Sequence, residues 1–451
     1  MKILFVNPTH LDENRNPVKY KKAYNPPLVF AILHALTPDH HVVEIINDVV
    51  EYIDFSRSYD LVAITAMTAQ AERAYQIADA FRNKGIKVVI GGMHASALPQ
   101  EAKLHADVVV IGEADNIWEQ ILDDCEHNRL KDFYQDIAFP DLQKLIIPKW
   151  DNMNMKIYPK RPGWKLPVIT AYATRGCPLG CKFCSVTKYF GKTYRTKPVD
   201  NFIKEIDSIN ADYYFIVDDN ITFNPDYSRE LFKALSKKNI KWMSQTSTTI
   251  LKKPDLIDLA AKAGCNEFYI GVESIDTNTL SVSKKKFNKV EEYEELFQRL
   301  LKAGITPNLS FIFGFDEDTY EQFQLILEFL KKNRIYYVMF YILTPLPGTA
   351  VFEEMKNAGR IRHFNWSKYD SAHVVFQPKH FTEEQLSKCY WDAFQKFYSF
   401  KNIIPHAWNG LIYNKKHLGI FFENLLFQPY FSYKVRSFDH PYSGGFGKRI
   451  G

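Results

Sequence analysis

Cysteine is scarce, six in 451 residues, which is too few for a disulfide framework and leaves packed cores to hold the fold. Long apolar runs are missing as well. None approaches the roughly 20 residues that a bilayer span needs, and the opening MKILFVNPTH passes at once into Asn and Pro without a signal-peptide profile. The expected setting is therefore cytoplasmic, with no transmembrane segment. No internal repeat, low-complexity tract or nucleic-acid-binding module is present, so the net charge of +5 has no groove to gather it and no nucleic-acid partner is expected. Residues 1–125 hold 11 Lys plus Arg against 17 Asp plus Glu, which puts the positive excess in the remainder. What is left is ordinary globular composition, 46% hydrophobic and 24% charged, at a length that suits two or three domains.

Short apolar runs alternate with helical stretches from the start: Lys2 to Val6, Leu28 to Leu36, Val42 to Ile46, Leu61 to Thr65, Ala71 to Asn83, Val88 to Ile90 and Val108 to Ile111. This pattern predicts a parallel sheet covered on both faces. Its strands end in turn residues, Asn7-Pro8, Gly91-Gly92 and Gly112, where such sheets bind ligands, and their repetition points to a nucleotide-like or flat cofactor across the sheet top. Residues 129–165 lose the pattern and are rich in proline, as a linker would be. A second alternation follows, with strands at Val168 to Ala173, Tyr213 to Val217, Lys241 to Gln245, Glu267 to Val272, Asn308 to Phe313 and Tyr336 to Leu343. Six βα units are fewer than a closed barrel has, so a partial barrel is expected, with an open doubly wound sheet as the alternative. From about residue 366 the pattern turns helical, clearest over Thr382 to Phe397, and residues 401–451 hold seven Lys plus Arg against two acids.

Three of the cysteines, Cys177, Cys181 and Cys184, fall on one loop directly after a strand, in Thr174-Arg175-Gly176-Cys177-Pro178-Leu179-Gly180-Cys181-Lys182-Phe183-Cys184. Three thiolates on one short loop suit one face of an iron-sulfur cube, with Gly176 and Gly180 letting the backbone fold around it. A zinc site would need a further Cys or His pair at finger-like spacing, and none follows. The missing fourth ligand leaves one iron open. The other thiols, Cys125, Cys265 and Cys389, are scattered and read as structural.

The C-x3-C-x2-C loop resembles that of the radical S-adenosylmethionine superfamily, and Gly91-Gly92-Met93-His94 with Gly112-Glu113 in the first domain resemble its cobalamin-binding subgroup. The resemblance implies an α/β chain with a Rossmann-like (flavodoxin-like) cobalamin-binding domain over 1–128, a linker over 129–165 and a partial (β/α)6 radical SAM barrel of TIM type over 166–365. Beyond the span of the resemblance, the helical pattern gives a mainly helical C-terminal extension over 366–451, a candidate substrate cap. The resemblance also implies a [4Fe-4S] cluster on Cys177, Cys181 and Cys184, reductive cleavage of S-adenosylmethionine to a 5'-deoxyadenosyl radical, and an external electron donor such as flavodoxin or ferredoxin.

By the same resemblance, Asp218, Asp219 and Asn220 contact the methionyl amino group. Gln245, Glu273 and Ser274 hold the carboxylate or ribose, and Phe183, Phe313-Gly314-Phe315 and Pro345-Leu346-Pro347 line the adenine. Asn7, Pro8, Thr65, Met67, Thr68, Gly91, Gly92, Met93, His94, Gly112 and Glu113 face the corrin. The D-x-H-x-x-G pattern that supplies a lower cobalt ligand in many cobalamin proteins is absent, so His94 reads as a loop residue rather than a cobalt ligand. The implied reaction is methylation of an unactivated carbon, with cyclisation or rearrangement without methyl transfer as an alternative. A methylthiotransferase is disfavoured because no cysteine precedes Cys125. A sensor that binds cobalamin or metal without catalysis is the alternative of another class. With 15% aromatic residues and a basic aromatic tail, the expected small-molecule substrate is apolar or lipid-like, resembling the hopanoids methylated in that subgroup, and the tail is a candidate for peripheral contact with a membrane surface.

Overall fold

The computed structural model describes residues 1–413, 418–440 and 445–450. The N-terminal part supplies strands β1 (Lys2–Asn7), β2 (Lys19–Ala23), β3 (Val42–Asn47), β4 (Leu61–Thr65), β5 (Lys87–Gly91), β6 (Val108–Ile111) and β7 (Phe133–Gln135). All but β2 form one parallel sheet in the order β3-β1-β4-β5-β6-β7. Counted along the sheet strands alone, this is the flavodoxin-like order with one strand added at the edge, and its direction of growth reverses between β1 and β4. Strands buried on both faces read as unbroken apolar runs, and Ile3, Leu4, Phe5 and Val6 are all fully buried. Ile3 and Phe5 pack towards helices Leu28–Ala35 and Trp118–Glu126, while Leu4 and Val6 face helix Ala71–Arg82.

The second part contributes β8 (Ile169–Ala171), β9 (Thr174–Arg175), β10 (Arg195–Thr196), β11 (Tyr213–Ile216), β12 (Lys241–Thr246), β13 (Cys265–Glu273), β14 (Thr306–Phe313) and β15 (Tyr337–Ile342). Its main sheet runs β8-β11-β12-β13-β14-β15, parallel throughout. Successive strands are neighbours and growth never reverses, so this is the partial barrel and not the doubly wound alternative. Helices 199–209, 225–235, 254–262, 293–303 and 320–332 return the chain between strands. Asn224 caps the second of these, accepting from the amides of Asp226 and Tyr227, and Gly304 ends the fourth at φ +81°. Among the fully buried residues, Trp242 sits against Phe232 at 5.3 Å between ring centres, and a side chain of that size adds about 2 to 3 kcal/mol of burial.

The span expected to link the sheets, residues 129–165, instead belongs largely to the first one: β7 extends it, and Leu142, Met153 and Tyr158 are buried in its core. At the other end, helix Glu383–Phe397 begins with a capping box between Thr382 and Gln385 and packs Phe394 on Phe340 of β15 at 5.0 Å, closing the barrel's open edge. Helices 400–413 and 418–436 follow, and a last strand, β16 (Gly445–Ile450), pairs antiparallel with β2. The C-terminal extension therefore straps onto the N-terminal part. Among the described residues no helix is long and apolar enough to cross a membrane.

Candidate active site

The cysteine loop leaves β9 at the C-terminal end of the barrel and is shaped by two glycines. Gly176 has φ +90°, and a Cβ there would lie 2.5 Å from the Thr193 carbonyl oxygen; Gly180 has φ +70°. Only glycine tolerates both conditions at the first position. Cys177, Cys181 and Cys184 are half-buried, and burial pushes each thiol up, Cys184 to about 12, while Lys285 opposes the rise at Cys177 and Cys181. Binding iron there must displace protons. Three thiols on one loop suit a cluster in which each binds a different iron.

The barrel's strand ends surround the loop. Asp218, fully buried, accepts from the Ala173 amide and the Thr174 hydroxyl, both at 2.8 Å, and burial pushes its carboxyl up to about 7. Asp219 accepts from the Gly176 amide at 3.1 Å and is raised by burial to about 6. Both carboxylates therefore brace the loop from behind. Asn220 donates to Ser247 at 3.2 Å. Gln245 is half-buried at the end of β12. Glu273 sits at φ +66° on a bulge of β13, paired with Lys285 and accepting from Ser310 at 3.2 Å. Ser274 accepts from the Asp276 amide at 3.0 Å. Lys285 also donates to the Gly271 carbonyl at 3.0 Å and lies 5.8 Å above the Phe183 ring. This buried lysine was not singled out from the sequence, where it is one of three consecutive lysines.

Opposite the loop stands the C-terminal edge of the first sheet. Gly92, at φ +97°, begins a short helix where a Cβ would meet Ala66 and Thr65 atoms at 2.8 Å, so the loops after β4 and β5 press together. Gly112 has φ +82° with nothing within 4 Å of its Cβ position, leaving bare backbone towards open space. Two cavities of about 570 and 390 Å³ meet here and share Met67, Gln70, Met93, Gly112 and Tyr189 as walls. The smaller opens at the β1/β4 reversal, lined by Asn7, Thr65, Gly91 and Gly92 on the sheet side and by Tyr172, Arg175 and Asp219 on the barrel side. The larger takes Thr68 from the first sheet and Leu346 and Pro347 from beyond β15. A mostly apolar space with bare backbone at its wall suits a flat macrocycle.

Not every expected residue reaches this space. His94 turns inward, 1% exposed, with Nε2 at 3.2 Å from Glu101 and its ring 5.0 Å from Trp366, and it lines neither cavity. Helical geometry explains the reversal, because Met93 faces the cavity and the next side chain is turned by about 100°. Glu113 borders the smaller cavity, but its carboxylate is engaged by Arg175 and Arg195. Gly314 has no open side, since a Cβ there would touch Leu386 and Phe376 at 3.0 Å. Pro345 is buried and, with Pro8, lies outside both linings, as do the three cysteines, Phe183, Asp218, Asn220, Gln245, Glu273 and Ser274, which gather instead at the barrel's strand ends. Reasoning from sequence missed Arg175, Asp115 and Tyr189, which join the two sheets. Their one local signal is that Arg175 stands directly before Gly176-Cys177.

Residues 172–330 match the family model for the radical SAM superfamily, and residues 30–122 match that for the B12 binding domain. The chain is 36% identical over 339 residues to the bacteriochlorophyllide d C-12(1)-methyltransferase of Chlorobaculum tepidum, covering 74% of this chain and 73% of the relative. It is 31% identical over 444 residues to the bacteriochlorophyllide d C-8(2)-methyltransferase of the same organism, covering 95% of each. Its fold matches the radical S-adenosylmethionine methyltransferase TsrM from Kitasatospora setae, solved with cobalamin and a [4Fe-4S] cluster, at a TM-score of 0.66 and 15% identity over 97% of this chain and 99% of that one. With both domains matched and the three-cysteine loop tied through Arg175 and Tyr189 to the cavity-bearing sheet, the chain belongs to the cobalamin-binding radical S-adenosylmethionine family, as a methyltransferase that uses S-adenosylmethionine and cobalamin.

Proposed function

We propose that the protein methylates an unactivated carbon of an apolar, lipid-like small molecule, with Cys177, Cys181 and Cys184 holding the cluster. The observation that carries this reading is that Arg175 and Tyr189, on either side of the cysteine loop, line the cavity that opens at the C-terminal edge of the flavodoxin-like sheet. Bound there, the cluster and S-adenosylmethionine would supply a 5'-deoxyadenosyl radical, and cobalamin the methyl group, the hard chemistry being the cofactors' own. The chain's part is to place and to shield. In this reading Asn220, Gln245, Ser274 and the Glu273–Lys285 pair offer polar groups to the methionyl and ribose ends of S-adenosylmethionine. Lys285 is a cation placed to meet a carboxylate beside the thiols, its ammonium raised above the ordinary value by Glu273 although burial lowers it. Phe183 and Phe315, 6.0 Å apart, exclude water next to the loop. Asn7, Thr65, Gly91, Gly92 and Gly112 present the corrin-facing backbone.

Bacteriochlorophyllide, named for the two relatives, is a large, mostly apolar polycycle, and it supports an apolar substrate here. Phe400, Ile404 and Trp408, spaced four apart on helix 400–413, are 57%, 70% and 55% exposed, which supports contact with a membrane surface that holds such molecules. A flavodoxin or ferredoxin would supply the electron. A cytoplasmic setting, where thiols stay reduced, suits six free cysteines. The test is anaerobic incubation with S-adenosylmethionine labelled at its methyl group and extracts of apolar metabolites: label in a carbon-bound methyl with deoxyadenosine formed alongside supports the proposal. Deoxyadenosine with label only in polar products contradicts the substrate class.

A further inference from the structure

We propose that Arg175, gripped by Asp115 and Glu113, is a positioning residue that fixes the separation of the cluster loop from the cobalamin-bearing sheet; the inference rests on the cofactor sites proposed above. Both arms of the cysteine loop are tied to one turn of the first sheet, residues 112–115. Ahead of Cys177, Arg175 Nη1 and Nη2 each donate to Asp115 at 3.0 Å, and Nη1 donates to Glu113 as well. Beyond Cys184, the Tyr189 hydroxyl donates to the Gly112 carbonyl at 2.9 Å. Arg195, the antiparallel partner of Arg175 in the β9–β10 ribbon, donates to the second Glu113 oxygen at 2.5 Å. One carboxylate thus joins two guanidinium groups.

The clamp is nearly dry, with side-chain exposures of 3% for Glu113, 11% for Arg175 and 12% for Asp115. A bidentate arginine–carboxylate pair fixes angle as well as distance, and once buried it resists opening because a lone charge would be left behind. The guanidinium also lies 4.2 Å above the Tyr172 ring, which limits its tilt. Gly112 lines both cavities and Glu113 and Asp115 line the smaller, so the turn that grips the loop is also part of the cavity wall. Moving it moves one cofactor against the other. Group transfer is sensitive to misplacements of about 1 Å, so a rigid tie at this point serves a reaction that needs both cofactors in register.

The reduced cluster and cob(II)alamin each carry an unpaired electron, and relaxation of the cobalt electron paramagnetic resonance signal reads their separation without any turnover. Holoenzyme, Arg175→Lys and Asp115→Asn are compared at equal iron and cobalt occupancy, with Arg229→Lys, which alters an exposed barrel ion pair, as control. The proposal expects one uniform relaxation rate in holoenzyme and control, and a spread at least twofold wider in both clamp variants. Unchanged relaxation in both overturns it. Should the variants load cofactors poorly, hydrogen exchange on the cofactor-free chain decides: amides of 112–115 and 176–184 exchange at least tenfold faster together in the variants, and unchanged exchange overturns the clamp. A wild-type chain that takes up no cluster or cobalamin contradicts the cofactor assignment instead, while the exchange comparison still tests the clamp.

Discussion

Gly176 shows how little room the cysteine loop has. Its φ of +90° predicts that Gly176→Ala costs about 1 to 3 kcal/mol in backbone strain, and the Thr193 carbonyl 2.5 Å from its Cβ position adds a steric clash to that. Iron content after anaerobic reconstitution and the melting temperature should both fall. Gly85→Ala, at φ +76° with nothing within 4 Å, is the control that strains the backbone without crowding it and keeps full iron. Replacing Cys181 by Ala should abolish the iron-sulfur absorbance and all deoxyadenosine formation; retained absorbance would show that this sulfur is no ligand. At this scale the sequence is read unevenly. The thiols were legible because their spacing is local. The carboxylates Asp218 and Glu113 stood out as cofactor contacts, but the groups they engage did not, because those partners are remote: Asp218 serves Ala173 from 45 residues away and Glu113 serves Arg175 from 62. No spacing rule tells a loop brace from a ligand-binding group.

Among the elements, the C-terminal helices carry a pH dependence of their own. His406, beside Gln428 at 3.2 Å, and His440, stacked on Tyr341, are buried and held neutral, each lowered by burial to about 4. Their unfolded forms titrate near 6.5, so the stability they protect is complete above that value and is lost as pH falls through about 4. Each should withdraw about 2 kcal/mol between pH 7 and 4.5. Faster hydrogen exchange in helix 418–436 at pH 4.5, ahead of the barrel strands, is the expected sign; equal acceleration everywhere would contradict it. The helices and long strands of both sheets were legible in their apolar periodicity. Strands β7, only three residues long, and β2, whose partner β16 lies at the other end of the chain, were not. A strand that short or that remote has no pattern of its own.

On the scale of the whole molecule, two parallel sheets present their C-terminal edges to one another, and the chain's own arginines, tyrosine and terminal strand hold them there. The order of the barrel strands, never reversing, is a property of pairing that alternation alone leaves open. The exposed stripe of Phe400, Ile404 and Trp408, with Arg436 4.4 Å over the Phe400 ring, predicts sedimentation with phosphatidylglycerol vesicles and at least tenfold weaker binding by Ile404→Glu. Equal binding by that variant would remove the membrane contact and leave the chemistry standing. The chemistry is tested most directly by metal analysis of protein purified without oxygen from cells supplied with cobalamin. About four irons and one cobalt per chain are expected, with iron alone lost when Cys177, Cys181 and Cys184 are all replaced by Ala. Zinc in place of iron, or cobalt absent from a fully folded chain, would contradict the account.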